Sequence, residues 1–373
     1  MQVAGTNGKG SICSFLGSIL QEAGISTGIY RSPHLVSWCE RLSLDGQWVE
    51  GPALRQALGQ WQQAGQRFEL TPFELLTAAS FSLMAERPIS LAVLEVGLGG
   101  RLDATTCHPD RRLIGVASIG WDHCEHLGSS LEAITTEKAG VFHPGARAFS
   151  APQLPQVAAV LQQQAELRGC DLHWVEPLPA DQPLGLAGEW QRSNGAVAMA
   201  MAEALLQQGW PLDPATMQRG LERARWPGRL QRLNWRGRQL LVDGAHNPPA
   251  AAALRAELGQ IDPGDGRHWL LGIQRHKDGP AIVKALLGSH DRAWILQIPD
   301  HQCWTAEQLQ QALPQLGDQL QAATSPELGL DQLIASPQLG VVCGSLHLLG
   351  ALWPLLHSPD SSGPTLEASA SGR

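Results

Sequence analysis

At 373 residues, 43% of them apolar and 17% charged, the chain is long enough for two domains that each bury a core. A formal net charge of -8 argues against a general nucleic-acid or membrane-surface binder, which would carry a basic face. No apolar run reaches the roughly 18 residues of a membrane-spanning helix and no signal-like segment opens the chain. Seven cysteines without a CxxC pair suit reduced thiols. The expectation is a soluble, cytoplasmic protein.

The chain opens on a short segment followed by GTNGKGS, residues 5 to 11. The strict phosphate-loop pattern GxxxxGK[ST], placed with its Lys on Lys9, asks for Gly at position 3 and Ser or Thr at position 10, and finds Val3 and Gly10. The physical parts of a phosphate cradle are nevertheless present. Three closely spaced glycines let successive N–H groups face one anion, Lys9 adds a point charge, and a helix follows. That helix is predicted from Ile12, Phe15, Leu16, Ile19, Leu20 and Ala23 at helical spacing, with Gly24 where a C-cap belongs. A plain Gly-rich turn would not require a Lys between two glycines. Ser11 stands one residue late for a metal-holding hydroxyl.

ISTGIY, LAVLEV, LIGVASI, QLLVDG, HWLLGI, RAWILQI and GVVCGS are short apolar runs bounded by turn residues and separated by helical patterns. This alternation predicts a parallel α/β architecture. In LEVGLGGRLDAT, Glu95 ends a strand, where ligands of open α/β sheets gather. A dinucleotide fingerprint fails there, because GxGxxG begun at Gly97 meets Leu102 in place of its third Gly. A strand-end Glu facing water is the equal alternative. SIGWDHCEHLG places Asp122 and His123 at another strand tip; a single His is more often structural, and magnesium prefers oxygen. Lys138 in EKAGVF reads by default as a solvated surface Lys.

A Gln- and Ala-rich helical pair from about Trp190 to Arg225 precedes WPGRLQ, where a second α/β unit is expected to begin. In DGAHNP, Asp243 ends a strand and can accept hydrogen bonds from a ribose, while Arg229 of PGR can reach a phosphate. GIQRHKD and CGSLH repeat the strand-then-polar pattern, and ordinary loop turns and surface charges account for each taken singly. Residues 358–373 are low in apolar content and expected to be disordered.

Taken in order, GTNGKGS, RSPHL, LTPFE, EVGLGGRLDAT, SIGWDH, EKAGVF, PGR, DGAHNP, HKD and CGS resemble the folylpolyglutamate synthase and dihydrofolate synthase branch of the Mur ligase family, from residue 3 to about residue 350. The family's loop is a shortened phosphate loop with a Gly after the Lys. The resemblance implies an α/β fold with a phosphate-loop ATPase domain on a parallel sheet over residues 1–226, then a smaller Rossmann-like domain over 227–357. It implies an ATP- and Mg2+-dependent ligase joining L-glutamate to dihydropteroate or reduced folates through an acyl phosphate, with ATP between the domains. Gly5, Thr6, Asn7, Gly8, Lys9, Gly10 and Ser11 would hold the triphosphate. Ser32, Glu95 and His123 match magnesium positions, and Lys138 matches a Lys that is carbamylated in the family. Asn194, Arg229 and Asp243 match nucleotide contacts, and His246 belongs to the same motif as Asp243. Thr71, Pro72, Phe73 and Glu74, with Leu102, Asp103 and Ala104, match the pterin side. Small-molecule partners, no nucleic acid, no membrane and a monomer are expected.

Family members carry a first strand and a pteroate-touching segment ahead of the loop. Here Met1 stands four residues upstream of Gly5, short for a usual strand of about five or six residues. A truncated feeding strand and weak ATP binding are the expectation. The alternatives are a nucleotide-binding homologue without turnover and a Mur-type ligase with a cell-wall substrate; LTPFE and the GKGS form argue against the latter.

Overall fold

A computed structural model describes residues 1–108, 110–264 and 266–357. The segment 358–373, expected to be disordered, lies outside the described residues. The chain divides into two compact units, Met1–Trp226 and Pro227–Arg373.

The first unit is built on an 8-stranded sheet. Its strands are β1 (Gln2–Ala4), β2 (Thr27–Tyr30), β3 (Leu42–Leu44), β4 (Gln47–Trp48), β5 (Leu91–Glu95), β6 (Leu113–Val116), β7 (Arg147–Ser150) and β8 (Asp171–Trp174). Their order is β4-β3-β2-β5-β1-β6-β7-β8, parallel from β2 to β8, with β3 and β4 folded back antiparallel at one edge. β1 is the strand that feeds the loop. β1 has only three residues, but Val3 pairs with Glu95 of β5 on one side and Gly115 of β6 on the other. A strand hydrogen-bonded along both edges holds its direction over a shorter length than an edge strand does.

The helix Lys9–Glu22 follows β1 and turns Ile12, Phe15, Leu16, Ile19 and Leu20 into the core, all fully buried. Each such side chain contributes about 1.5–3 kcal/mol of burial. That core also takes Val197, Met201 and Leu205 from the helix Trp190–Gln207 and Met217 and Leu221 from the helix Pro214–Arg223. Gly24 follows the C-cap Ala23 with φ of 67°, closing the helix as its position in the sequence predicts.

The second unit carries a 6-stranded sheet. Its strands are β9 (Gln231–Trp235), β10 (Arg238–Val242), β11 (Arg267–Leu271), β12 (Arg292–Ile295), β13 (Leu320–Ala322) and β14 (Leu339–Cys343). The order is β13-β12-β11-β14-β10-β9, parallel except for the β9–β10 hairpin. Leu240, Leu270, Trp269, Val341 and Ile282 fill its interior.

Candidate active site

β1 lies between β5 and β6, with β2 beyond β5, so the carboxyl ends of four neighbouring strands deliver the loop, Arg31–Ser32, Glu95 and the Ser118–His123 segment to one edge. The order reverses at β1, the kind of switch point where open α/β sheets bind ligands.

The loop N–H groups do not all converge as the glycine spacing suggests. Those of Thr6 and Asn7 donate to the Ser118 carbonyl at 2.8 and 3.3 Å, and Thr6 Oγ1 bridges the N–H and carbonyl of Gly120. The first part of the loop is thus tied to the end of β6. The first helical hydrogen bond runs from Ile12 N–H to Gly8 carbonyl at 2.9 Å, so the N–H groups of Gly8, Lys9, Gly10 and Ser11 stand ahead of it. The helix begins on Gly8, at φ of 102°, with no side-chain cap. A β-carbon at Gly8 would fall 2.2 Å from Oδ1 of Asn194, so Asn194 reaches the loop backbone only because that residue is glycine. Asn194 Nδ2 donates to Gln191 Oε1 at 2.9 Å. Lys9 Nζ donates to the Thr6 carbonyl at 3.1 Å.

Beside the loop, Glu95 is 3% exposed, which excludes the water-facing reading of this strand end. Its Oε2 accepts from Ser32 N–H at 3.3 Å, so these two predicted metal positions are neighbours. Lys138 corrects a second expectation. It is buried, 4% exposed, and its Nζ donates to the Gly5 carbonyl at 3.1 Å. The helix Leu131–Lys138 packs Leu131 and Ile134 into the core and so carries its last side chain inward. His123 has φ of 52°, and its ring lies 3.8 Å from Asp122 Oδ2 and 3.9 Å from Glu125 Oε1. Among the described residues, no three or more His, Cys, Asp or Glu side chains form a metal-holding group. A carboxylate and a serine at neighbouring strand ends still fit magnesium, which takes few protein oxygens and leaves room for water and phosphate oxygens. His123 fits it less well, as a nitrogen donor.

On the predicted pterin side, Thr71 and Glu74 form a capping box. Thr71 Oγ1 accepts from Glu74 N–H at 3.3 Å, and Glu74 Oε2 accepts from Thr71 N–H at 2.7 Å, with Pro72 opening the helix Pro72–Ala85. The bonds from the Thr71 hydroxyl and N–H hold the Glu74 carboxyl below its ordinary pKa. Phe73 packs 5.8 Å from Tyr30, ring centre to ring centre. Asp103 is buried and gathers the N–H groups of Gly97, Leu98 and Thr105 at 2.9–3.0 Å, which shapes the Gly-rich turn. Leu102 beside it is 78% exposed, and Ala104 opens the short turn Ala104–Cys107.

In the second unit, Asp243 follows β10 and is buried. Oδ2 accepts from Leu230 N–H and Oδ1 from Ala245 N–H, both at 2.8 Å. Burial pushes its pKa up, while Arg229 and the two N–H groups pull the other way. Arg229 lies over the following turn, since a β-carbon at Gly244 would fall 2.2 Å from its Nη1. His246 Nδ1 is 2.8 Å from the Gly244 carbonyl, and Asn247 caps the helix Pro248–Ile261 by accepting from Ala250 N–H at 3.0 Å. Arg229, Asp243 and His246 are therefore brought together. Asp278 of HKD and Ser345 of CGS cap the helices Gly279–Leu286 and Leu346–Leu356. The sequence reading passed over Arg31, which precedes Ser32 at the end of β2, and Trp226, which packs on Gly10. A charge closing an apolar strand, the signal that singled out Glu95, was available for Arg31 as well.

Fold and loop define an α/β protein of the phosphate-loop type, with an uncapped helix start on the central strand and a buried acid beside it. Residues 229–356 match the family model for the dihydrofolate synthetase C-terminal domain. The chain is 32% identical over 381 residues to the dihydrofolate synthase/folylpolyglutamate synthase of Escherichia coli, covering 97% of this chain and 87% of that protein. It is 34% identical over 334 residues to the mitochondrial folylpolyglutamate synthase of Bos taurus, covering 77% of this chain. That match takes in 57% of the bovine protein, so the chain spans little more than half the length of this relative. The bifunctional folylpolyglutamate synthase/dihydrofolate synthase of Yersinia pestis, solved with AMPPNP and a manganese ion, superposes with a TM-score of 0.84 at 29% identity, covering 96% of this chain and 88% of that one. The chain belongs to the folylpolyglutamate synthase/dihydrofolate synthase family.

Proposed function

We propose that this chain is an ATP-dependent ligase that joins the amine of L-glutamate to the carboxylate of dihydropteroate or a reduced folate. The observation that carries this reading is the row of N–H groups from Gly8 to Ser11 with Lys9 among them, at the end of the central strand and next to the buried Glu95. The relatives' names, which include both synthases, and the nucleotide and metal in the Yersinia pestis complex support it.

A carboxylate is a poor electrophile until one oxygen becomes a leaving group. Its oxygen attacks the γ-phosphorus of ATP, ADP departs, and an acyl phosphate forms; the glutamate amine then attacks the acyl carbon, phosphate leaves, and the amine loses a proton. The loop from Gly5 to Ser11 orients the triphosphate, and Lys9 holds its β and γ oxygens. Ser32, Glu95 and His123 would hold magnesium, which when bound offsets the charge of the transferring phosphoryl group. Lys138 is assigned a carbamate, formed when carbon dioxide adds to its amine with loss of a proton; this turns a buried cation into an anion able to bind metal. Asn194, Arg229 and Asp243 are assigned to the nucleotide and His246 to the catalytic step. Thr71–Glu74 and Leu102–Ala104 are assigned to the pterin side, where Thr71, Glu74 and Asp103 act by shaping the backbone. Reaction in the cytoplasm by a monomer, with small-molecule partners alone, completes the reading. No helix among the described residues is long and apolar enough to cross a membrane.

Phosphate release with magnesium and ATP tests the proposal. Release is expected only when glutamate is present together with dihydropteroate or tetrahydrofolate. Release that ignores both acceptors, or ATP binding with no release under any combination, contradicts it.

A further inference from the structure

Arg31 follows β2 and is 8% exposed. Its backbone N–H donates to the Arg41 carbonyl at 2.8 Å, but its side chain makes no hydrogen bond or ion pair with a described residue, and Nε is buried without a partner. A guanidinium has five donors and is costly to strip of water unless they are met. The side chain is not loosely placed. Its Cζ lies 4.9 Å from the ring centre of Trp226, a cation–π distance, and a β-carbon at Gly17 would come 3.6 Å from Nη2. Burial pulls the Arg31 pKa down, with Cys13 and then Glu95 near enough to work against it.

Trp226 links this cation to the phosphate loop. A β-carbon at Gly10 would fall 2.9 Å from its Nε1, so the indole lies directly on the loop backbone. Gly10 supplies one of the N–H groups ahead of the first helical bond. The guanidinium thus rests one indole away from the proposed phosphate site and one residue from Ser32, whose N–H meets Glu95. A guanidinium with its Nε buried and without an acceptor, stacked in place beside an anion site, is arranged for an acceptor that arrives with the ligand.

We propose that Arg31 is a second cation of the phosphate loop, and that its guanidinium, held on Trp226, donates to a phosphate oxygen of the nucleotide bound by Gly5–Ser11. This rests on the ATP-dependent reading above and extends it to the first residue of RSPHL, to which the resemblance assigns no role. A structural Arg and a phosphate-binding Arg differ in their effect on the free protein. Replacing a buried charge that lacks partners with an apolar side chain of similar length is neutral or stabilising, whereas removing a structural ion destabilises.

The test uses the full chain with Arg31→Met, Arg31→Gln and Arg31→Lys, comparing thermal unfolding without ligand and binding of ATP and of adenosine. Arg31→Met is expected to unfold at or above the parent temperature, to bind ATP roughly ten- to a hundredfold more weakly, and to keep the parent affinity for adenosine. Arg31→Gln should lose the same preference for ATP over adenosine, and Arg31→Lys should retain part of it. An unchanged ATP-to-adenosine ratio in folded Arg31→Met or Arg31→Gln overturns the proposal. So does failure of both variants to fold, which would make the guanidinium structural. A parent chain that binds no ATP removes the ligase reading and this inference with it; a parent that binds ATP beside a variant of equal preference removes this inference alone.

Discussion

Ala4 to Lys9 in the first unit and Val242 to Pro248 in the second are both strand-to-helix junctions at the carboxyl end of a parallel pair. They treat backbone donors in opposite ways. The first helix starts on Gly8 with no side-chain cap and no acid in its first turn. The second starts on Asn247, whose amide oxygen takes Ala250 N–H, while Asp243 takes the N–H groups of Leu230 and Ala245. One junction keeps donors and the positive helix end available to an outside anion. The other brings its own acceptors and presents Asp243, Arg229 and His246 instead. The same local topology therefore suits phosphate in one unit and hydrogen-bonding side chains in the other.

The largest effect should come from the first junction. Lys9→Ala is expected to lower acceptor-dependent phosphate release at least a hundredfold or so, the scale of losing a cation or donor on a transferring group. Circular dichroism should be unchanged, because among the described residues the ammonium meets only the Thr6 carbonyl and supports no core. Unchanged turnover would remove the loop from the reaction.

Lys138→Ala should follow, with activity down about ten- to a hundredfold, the range for losing a group that supports a metal site. Bicarbonate depletion of the parent should reproduce the loss. An active parent whose intact mass shows a free Lys138 amine, indifferent to bicarbonate, would refute the carbamate.

A smaller effect is expected from the second junction. Burial raises the Asp243 pKa above its ordinary 3.8, so the folded chain holds that proton more tightly than the unfolded one. The resulting stabilisation is complete below about 4 and is lost as pH rises through the raised value, with a slope of at most about 1.4 kcal/mol per pH unit. Asp243→Asn should flatten that limb of the unfolding-temperature profile. Identical slopes for the two chains would show that Asp243 does not titrate as its burial requires.

Much of this was legible in the sequence. Each apolar run named from LAVLEV to GVVCGS contains a strand, because a buried parallel strand needs a continuous apolar segment. The edge strands Gln47–Trp48, exposed throughout, and Asp171–Trp174, exposed at both ends and half-buried between, escaped because neither carries a continuous apolar run. The loop could be read because its glycines, Lys9 and the helix it feeds are contiguous. Lys138 could not, because its burial depends on the Gly5 carbonyl 133 residues away. Glu95 was ambiguous for the same reason: whether a strand-end acid faces water is decided by what the neighbouring strand ends bring to it. Thr71 and Glu74 carry a local signature, Thr-x-x-Glu, whose capping role needs no family likeness to explain it.

Amide hydrogen exchange with and without magnesium and ATP compares the two junctions in one experiment. The account predicts that nucleotide slows exchange across Gly8–Ser11, while Leu230 and Ala245, already bonded to Asp243, exchange slowly with or without it. Nucleotide binding that leaves the Gly8–Ser11 amides unprotected would contradict the assignment of this loop as the phosphate cradle.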